Sequence, residues 1–298
     1  MTTLKRLVPR FIKDELKGSI RAASEAYARE VTPPTAELVT QVRELSAKVA
    51  DLEAAAGQLE AVLRHDGAVL PPPKHMQIRV VGGYVSGFIE SGFSICDDLN
   101  GVLSVAGKSL GDFERILDWG CGCGRTTRAL KTLMPQKDIW GSDIDPEAIA
   151  WLQKVYSPKY GQFRLAPHAP PLPFEDGFFD FVFGISVFTH LPEDMQFGWL
   201  AEMQRITRPG GYLIMTTSGE GNYSKLPDEL RRKVEEKGFF YLDGGYGQSI
   251  SLPAFYQNTF HSLDYIRREW AKYFDILDMQ PTRMQRHQDT ILMRRRAQ

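Results

Sequence analysis

The sequence predicts an α/β fold, a doubly wound and mostly parallel sheet preceded by a helical extension, on three observations. The apolar run Ile116-Leu117 ends in Asp118-Trp119 and then in Gly120, Gly122 and Gly124, ahead of the helix-spaced segment 125–133 (RTTRALKTL). That order reads as a buried parallel strand, a tight loop and a helix. A second strand reads from Asp138 to Asp143, with Asp145-Pro146 as N-cap and first residue of the next helix. Ahead of both, from residue 35 to 63, apolar residues fall alternately four and three apart, a helical period.

Taken in order, residues 4–21 carry Lys5, Arg6, Arg10, Lys13, Lys17 and Arg21 against only Asp14 and Glu15, interleaved with Leu7, Val8, Phe11, Ile12, Leu16 and Ile20. Two readings stand: a solvated basic face, or a helix resting on anionic lipid. Pro33-Pro34 stops any earlier helix, and Thr35 can cap the next. Val42, Val49, Ala56 and Leu63 then take heptad position a, and Leu38, Leu45, Leu52 and Leu59 take d. β-Branched residues at a with leucine at d favour a parallel two-stranded coil. Residues 35–63 are therefore expected to form a homodimer, with an amphipathic helix folded back on its own domain as the alternative. The chain divides into an extension, 1–70, and a main domain, 71–298.

In the main domain, glycine at alternate positions lets the backbone turn sharply and approach a ligand without a Cβ in the way. The spacing is G-x-G-x-G and not the dinucleotide G-x-G-x-x-G, because Arg125-Thr126-Thr127 follow Gly124. Asp143 lies 19 residues after Gly124, where a βαβ unit places the acid that grips a ribose hydroxyl pair. Further on come Phe163-Arg164-Leu165, the segment Leu172-Pro173-Phe174-Glu175-Asp176-Gly177-Phe178-Phe179-Asp180, and an apolar run to Phe188. Arg208-Pro209-Gly210-Gly211 precedes Tyr212-Leu213-Ile214-Met215. These ordered segments resemble the class I S-adenosylmethionine-dependent methyltransferases, closely over residues 112–219 and more loosely from 71 to the C-terminus. The resemblance implies a seven-stranded, Rossmann-like sheet whose last strand is antiparallel, with S-adenosyl-L-methionine as cofactor.

Composition narrows the setting. In 298 residues, 43% hydrophobic, the formal net charge of −1 gives no overall pull toward nucleic acid. No segment approaches the roughly 20 apolar residues of a membrane span, and the start lacks a signal-peptide core. Of three cysteines, Cys121 and Cys123 form a C-x-C pair with no matching ligand pair elsewhere, so no metal is expected. The expected location is the cytoplasm, with the basic N-terminus as the candidate membrane contact.

The resemblance also implies roles for individual residues. The loop of Gly120, Cys121, Gly122 and Gly124 would pass along the methionine part of the cofactor, and Asp118 would accept from its ammonium. Asp143 would take the ribose hydroxyls and Ile144 would lie against the adenine. Where relatives carry an acid for the adenine amine, this chain has His168-Ala169, whose neutral imidazole can still accept a hydrogen bond. Ile185 and Ser186, past the fourth strand, would close over the cofactor.

For the acceptor, the loop from Gly184 to Pro192 lacks the (Asp/Asn)-Pro-Pro-aromatic motif of base-amine methyltransferases, which disfavours nucleic acid. A hydroxyl must lose a proton as it attacks, so a positioned base helps. His190 and His261 are the leading candidates, with His287 and Asp289 behind them. The insertion of residues 219–260 carries Tyr223, Phe239, Phe240, Tyr241, Tyr246, Phe255 and Tyr256 among many glycines. Such a segment suits a lid over a flat or ring-shaped acceptor, or a loop packed by its own aromatics. The reading is methyl transfer to the hydroxyl of a sugar, a glycan or another small molecule. Its rivals are a catalytically weak scaffold acting through the coiled coil, and methylation of a protein or lipid.

Overall fold

A computed structural model describes residues 37–38, 40–51, 70–82, 87–243 and 253–297. The chain divides into two compact units, the second made of Pro72–Tyr84 and Phe88–Gln298. In the first unit residues 40–51 are helical, and Val42 and Leu45 are exposed. The rest of the heptad run and the basic stretch 4–21 lie outside the described residues. Among the described residues no helix is long and apolar enough to cross a membrane.

The second unit is built on the expected seven-stranded sheet. Five parallel strands come first: β1 (Arg115–Trp119), β2 (Asp138–Asp143), β3 (Gln162–Leu165), β4 (Phe179–Gly184) and β5 (Thr207–Thr217). Two strands form a second, antiparallel sheet, β6 (Phe239–Leu242) and β7 (Asn258–His261). The chain then returns through β8 (Asp275–Met284) and β9 (Gln288–Arg294), giving the order β3-β2-β1-β4-β5-β9-β8 with β9 antiparallel to both neighbours. Strand order reverses between β1 and β4, the point at which open α/β sheets hold ligands.

The helices in chain order are α1 (Lys74–Val81), α2 (Phe88–Leu103), α3 (Arg125–Leu133), α4 (Pro146–Val155), α5 (Glu193–Ile206), α6 (Glu220–Tyr223), α7 (Asp228–Lys237) and α8 (Leu263–Glu269). Side-chain alternation along the strands explains why the central runs are apolar throughout. Ile116, Phe181, Phe183, Ile214 and Leu292 pack on one face with Leu99 of α2 and Leu130 of α3. Their neighbours Leu117, Val182, Leu213, Met215 and Ile291 pack on the other with Leu200 and Met203 of α5 and with Trp270. Asp180, in the Phe-Asp pair of the LPF segment, accepts from the N–H groups of Glu114 and Arg115 at 2.9 Å each and pins the start of β1 to β4. The Arg208-Pro209-Gly210-Gly211 segment lies within β5 instead of ahead of it, with Gly210 at φ 76°. Helix α7 is the solvated helix its charges predict, with Val234 its one buried residue.

Candidate functional site

The site is built where β1 and β2 stop. Gly120, Gly122 and Gly124 all take positive φ (78°, 54° and 80°), conformations that side-chain-bearing residues resist. The loop is fastened to β2: Gly120 and Cys121 N–H groups donate to the Ser142 carbonyl at 2.7 and 3.1 Å. Asp143 completes the fastening, its Oδ2 accepting from Gly122 N–H at 2.7 Å and its Oδ1 from Asp145 N–H at 2.9 Å. Asp145 caps α4 as its sequence predicts, accepting from the N–H groups of Glu147 and Ala148. Asp118, at the end of β1, is 3% exposed and accepts from the Thr127 hydroxyl at 2.7 Å.

Burial sets the electrostatics. It pushes the Asp118 carboxyl from 3.8 up to about 7 against the Thr127 hydrogen bond, and raises that of Asp143 against its two backbone donors. The Cys121 and Cys123 thiols are pushed up too, Cys123 to about 12, so both stay protonated near neutrality.

An open cleft lies against this loop, and of the residues expected to touch a cofactor it brings together Asp118, Gly120, Cys121, Gly122, Asp143, Ile144, His168, Ile185 and Ser186. Gly124 and Ala169 are not on its wall. Gly124 instead starts α3, packed so closely on α4 that a Cβ there would sit 2.5 Å from Leu152 Cδ2. Ser186 holds φ 61°, uncommon for a residue with a Cβ. Its N–H donates to Thr216 Oγ1 and its Oγ accepts from Gln288 Nε2, each at 2.8 Å.

Neither of the two candidate bases is among the residues of the cleft wall. His261 ends β7 and is fully buried. Its Nε2 lies 2.8 Å from Gln196 Oε1, while Gln196 Nε2 donates to the carbonyls of Phe188 and Leu191. Burial alone lowers its pKa to about 3. His190 is buried behind Tyr256, its Nδ1 3.0 Å from the Gln257 carbonyl, and burial lowers its pKa to about 4. His287 is exposed beside Asn222, and Asp289 is buried with Oδ1 accepting from Thr282 N–H at 2.8 Å.

Two groups on the cleft wall escaped the sequence reading. One is α1, which contributes Met76, Arg79 and Val80. Arg79 is held to Asp145 (2.9 Å) and Glu147 (2.7 Å), and His75 to Glu147 (2.8 Å), so α1 lies over the β2–α4 turn. The other is an apolar and aromatic wall of Trp119, Val187, Leu191, Trp199, Phe255 and Tyr256. Of these only Phe255 and Tyr256 had a signal, as aromatics of the insertion.

Residues 117–215 match the family described as methyltransferase domain. The chain is similar to 2-methyl-6-phytyl-1,4-hydroquinone methyltransferase of Synechocystis, 28% identical over 38% of this chain and 34% of that one. It is similar to a malonyl-(acyl-carrier protein) O-methyltransferase of Hahella chejuensis, at 29% over 41% and 44%. A ubiquinone/menaquinone biosynthesis C-methyltransferase of Burkholderia orbicola is 30% identical over 43% and 51%. The chain thus spans about half or less of the length of these relatives. In fold it is similar to a Pyrococcus horikoshii protein of known crystal structure, with a TM-score of 0.50 and 18% identity over 68% of this chain and 90% of that one.

Proposed function

We propose that this chain, which carries the methyltransferase domain of the class I S-adenosylmethionine-dependent methyltransferases, transfers a methyl group from that cofactor to a small, flat acceptor with an ionisable ring hydroxyl. The observation that carries the reading is the pair of carboxyls, buried Asp118 and half-buried Asp143, on either side of a bare glycine loop at the switch point of the sheet. That set fits the cofactor. Asp118 is a buried anion in want of a cation and would meet the ammonium. Asp143 retains lone pairs beyond its two backbone donors and would accept from the ribose hydroxyls. Ile144 and His168 would border the adenine.

When bound, S-adenosylmethionine supplies an electrophilic methyl on a good leaving group. The chain's own residues then act by alignment and exclusion of water, effects able to supply much of the acceleration of an in-line displacement. Asp118 and Asp143 fix one end of the cleft, and α1 covers it through the Arg79 ion pairs and the His75 hydrogen bond. The aromatic wall gives an acceptor ring an apolar seat.

A phenolic hydroxyl ionises near 10, far below a sugar hydroxyl, which has more need of a base at the reacting oxygen. The sugar reading drew on the missing amine motif, the aromatic insertion and the histidines, and of these His190 and His261 do not border the cleft. Of the relatives named above, one is a hydroquinone methyltransferase and one a C-methyltransferase of ubiquinone/menaquinone biosynthesis, which favours a ring acceptor. The test is calorimetric titration with S-adenosylmethionine, followed by mass spectrometry of turnover on matched panels of hydroquinones, phenols and sugars. Methylated rings are expected; turnover of sugars alone refutes the acceptor class, and no cofactor binding refutes the site.

A further inference from the structure

We propose that His190 is a positioning residue: it fixes the Tyr256 ring in the cleft wall and so sets where a ring-shaped acceptor lies. The proposal rests on the methyl-transfer reading above and assigns its acceptor side.

His190 closes the short 3₁₀ turn Phe188–His190 that follows β4, and so is carried by the sheet. Its ring lies face to face on that of Tyr256, with centroids 4.0 Å apart and planes 18° from parallel. Its Nδ1–H donates to the Gln257 carbonyl at 3.0 Å in the tautomer that hydrogen bond requires. The backbone returns the contact, Gln257 N–H donating to the His190 carbonyl at 3.2 Å. One side chain thus holds Tyr256 by its face and the next residue by its backbone.

The segment is also tied at its other points. Tyr256 N–H donates to the Pro253 carbonyl at 2.9 Å, Gln257 Nε2 to the Ala254 carbonyl at 3.0 Å, and the Tyr241 hydroxyl to the Phe255 carbonyl at 3.1 Å. The outcome is a braced turn, residues 253–257, that sets Phe255 and Tyr256 into the cleft wall. His190 stands behind that wall.

The chemistry of this residue suits the task. Burial holds the imidazole neutral at physiological pH, its pKa lowered to about 4, so it stacks as an uncharged ring and keeps a single N–H for Gln257. Phenylalanine could stack there and leave the carbonyl without its ring donor; glutamine could donate and not stack. A ring held flat is a specificity device, because an acceptor that packs on Tyr256 must share its plane or meet its edge.

The experiment compares His190→Ala, His190→Phe, Tyr256→Ala and the double alanine variant in the full-length chain, with a short-chain alkyl hydroquinone as acceptor. Calorimetry with S-adenosylmethionine reports whether each variant is folded. Positioning predicts that His190→Ala raises the acceptor KM about tenfold, the scale of a lost aromatic pair with its hydrogen bond. Saturating kcat should then stay within a few-fold, and His190→Phe should recover most of the loss. The double variant should be no worse than Tyr256→Ala, since both changes act through one ring.

A base at His190 would instead lower kcat about 10²–10⁴-fold in both His190 variants at unchanged KM, and that result overturns the proposal. Additive losses in the double variant overturn it too. Limited chymotrypsin digestion gives a reading that needs no acceptor: cleavage after Phe255 or Tyr256 should rise several-fold in His190→Ala and not in His190→Phe. Equal cleavage in all forms refutes the brace. Absence of hydroquinone turnover in the wild type overturns the acceptor class and the acceptor-setting role together, while the digestion still decides whether His190 holds the turn.

Discussion

Asp118→Asn isolates the charge at the end of β1. Burial raises the folded-state pKa of this carboxyl from 3.8 to about 7, so between those values the folded chain keeps a proton that the unfolded chain has released. Stability of the ligand-free protein therefore falls as pH rises through that window. Three pKa units at about 1.36 kcal/mol each put the full penalty of the ionised group at up to about 4 kcal/mol above pH 7. Asparagine keeps an oxygen for the Thr127 hydroxyl, now 2.7 Å away, and brings no charge; its unpartnered NH₂ gives back about 1 kcal/mol or more.

The ligand-free variant should thus be about 2–3 kcal/mol more stable than wild type at pH 8, with the sign reversing to about 1 kcal/mol less stable below pH 4. Urea denaturation at a series of pH values measures it. Binding should move the other way. A carboxylate that meets the cofactor ammonium makes a charged hydrogen bond worth about 1.5–3 kcal/mol, so calorimetry at pH 8 should show affinity about 10–150-fold lower. A stability difference that does not change with pH refutes the buried-charge argument. Unchanged affinity refutes the assignment of Asp118 to the cofactor.

Gly122→Val should abolish cofactor binding and lower the melting temperature, because φ is 54° there and a Cβ would sit 2.5 Å from Val80 Cγ2 under α1; normal affinity in the variant sinks that view of the loop. His261→Ala should destabilise the protein by about 2–4 kcal/mol through the cavity and the orphaned Gln196 oxygen, yet leave turnover per folded molecule unchanged. Because burial lowers the His261 pKa from 6.5 to about 3, its contribution is present above pH 6.5 and is lost as pH falls toward 3, so the variant should show a shallower acid limb in urea titrations. We propose that residues 35–63 form a parallel dimer, for which Val42 and Leu45, 54% and 43% exposed, would be seam residues; removing residues 1–66 should convert the dimer to a monomer by light scattering with cofactor affinity intact, and the same number of chains before and after counts against it.

The glycine-loop side of the cleft was legible because its logic is local. Alternate glycines, the acid that ends β1 and the acid that ends β2 each follow from strand, turn and cap chemistry within a few residues, and the sheet order then brings them together. The α1 and aromatic walls follow from contacts far apart in sequence. Arg79 meets Asp145 and Glu147 across more than 60 residues, so nothing near Arg79 marks α1 as a wall of the cleft. β6 and β7 are four residues each and exist through pairing with one another, as in Phe239 opposite His261. A strand so short and so dependent on a distant partner leaves little periodic signal. Asp180 shows the converse: the motif is visible in sequence, but its purpose, closing two backbone N–H groups at the start of β1, needs the fold.

The surroundings of the histidines were hidden for a related reason. A histidine near a strand end attracts a catalytic reading, yet the group that decides its role is the partner that desolvation forces on it. For His261 that partner is Gln196, 65 residues away, itself spoken for by two backbone carbonyls. Burial pushes four titratable groups in or behind this cleft in the direction of neutrality, lowering His190 and His261 and raising Asp118 and Asp143. For the histidines neutrality is the end state, since a ring that stacks on Tyr256 or closes a hydrogen bond in the core has no use for a charge. For the acids it is a deficit that the proposed ammonium beside Asp118 and ribose hydroxyls beside Asp143 would remove. The same desolvation therefore separates the groups that build the wall from the groups that await a ligand, and it does so by sign: an imidazole made a weaker base supports structure here, and a carboxyl made a weaker acid is poised to bind.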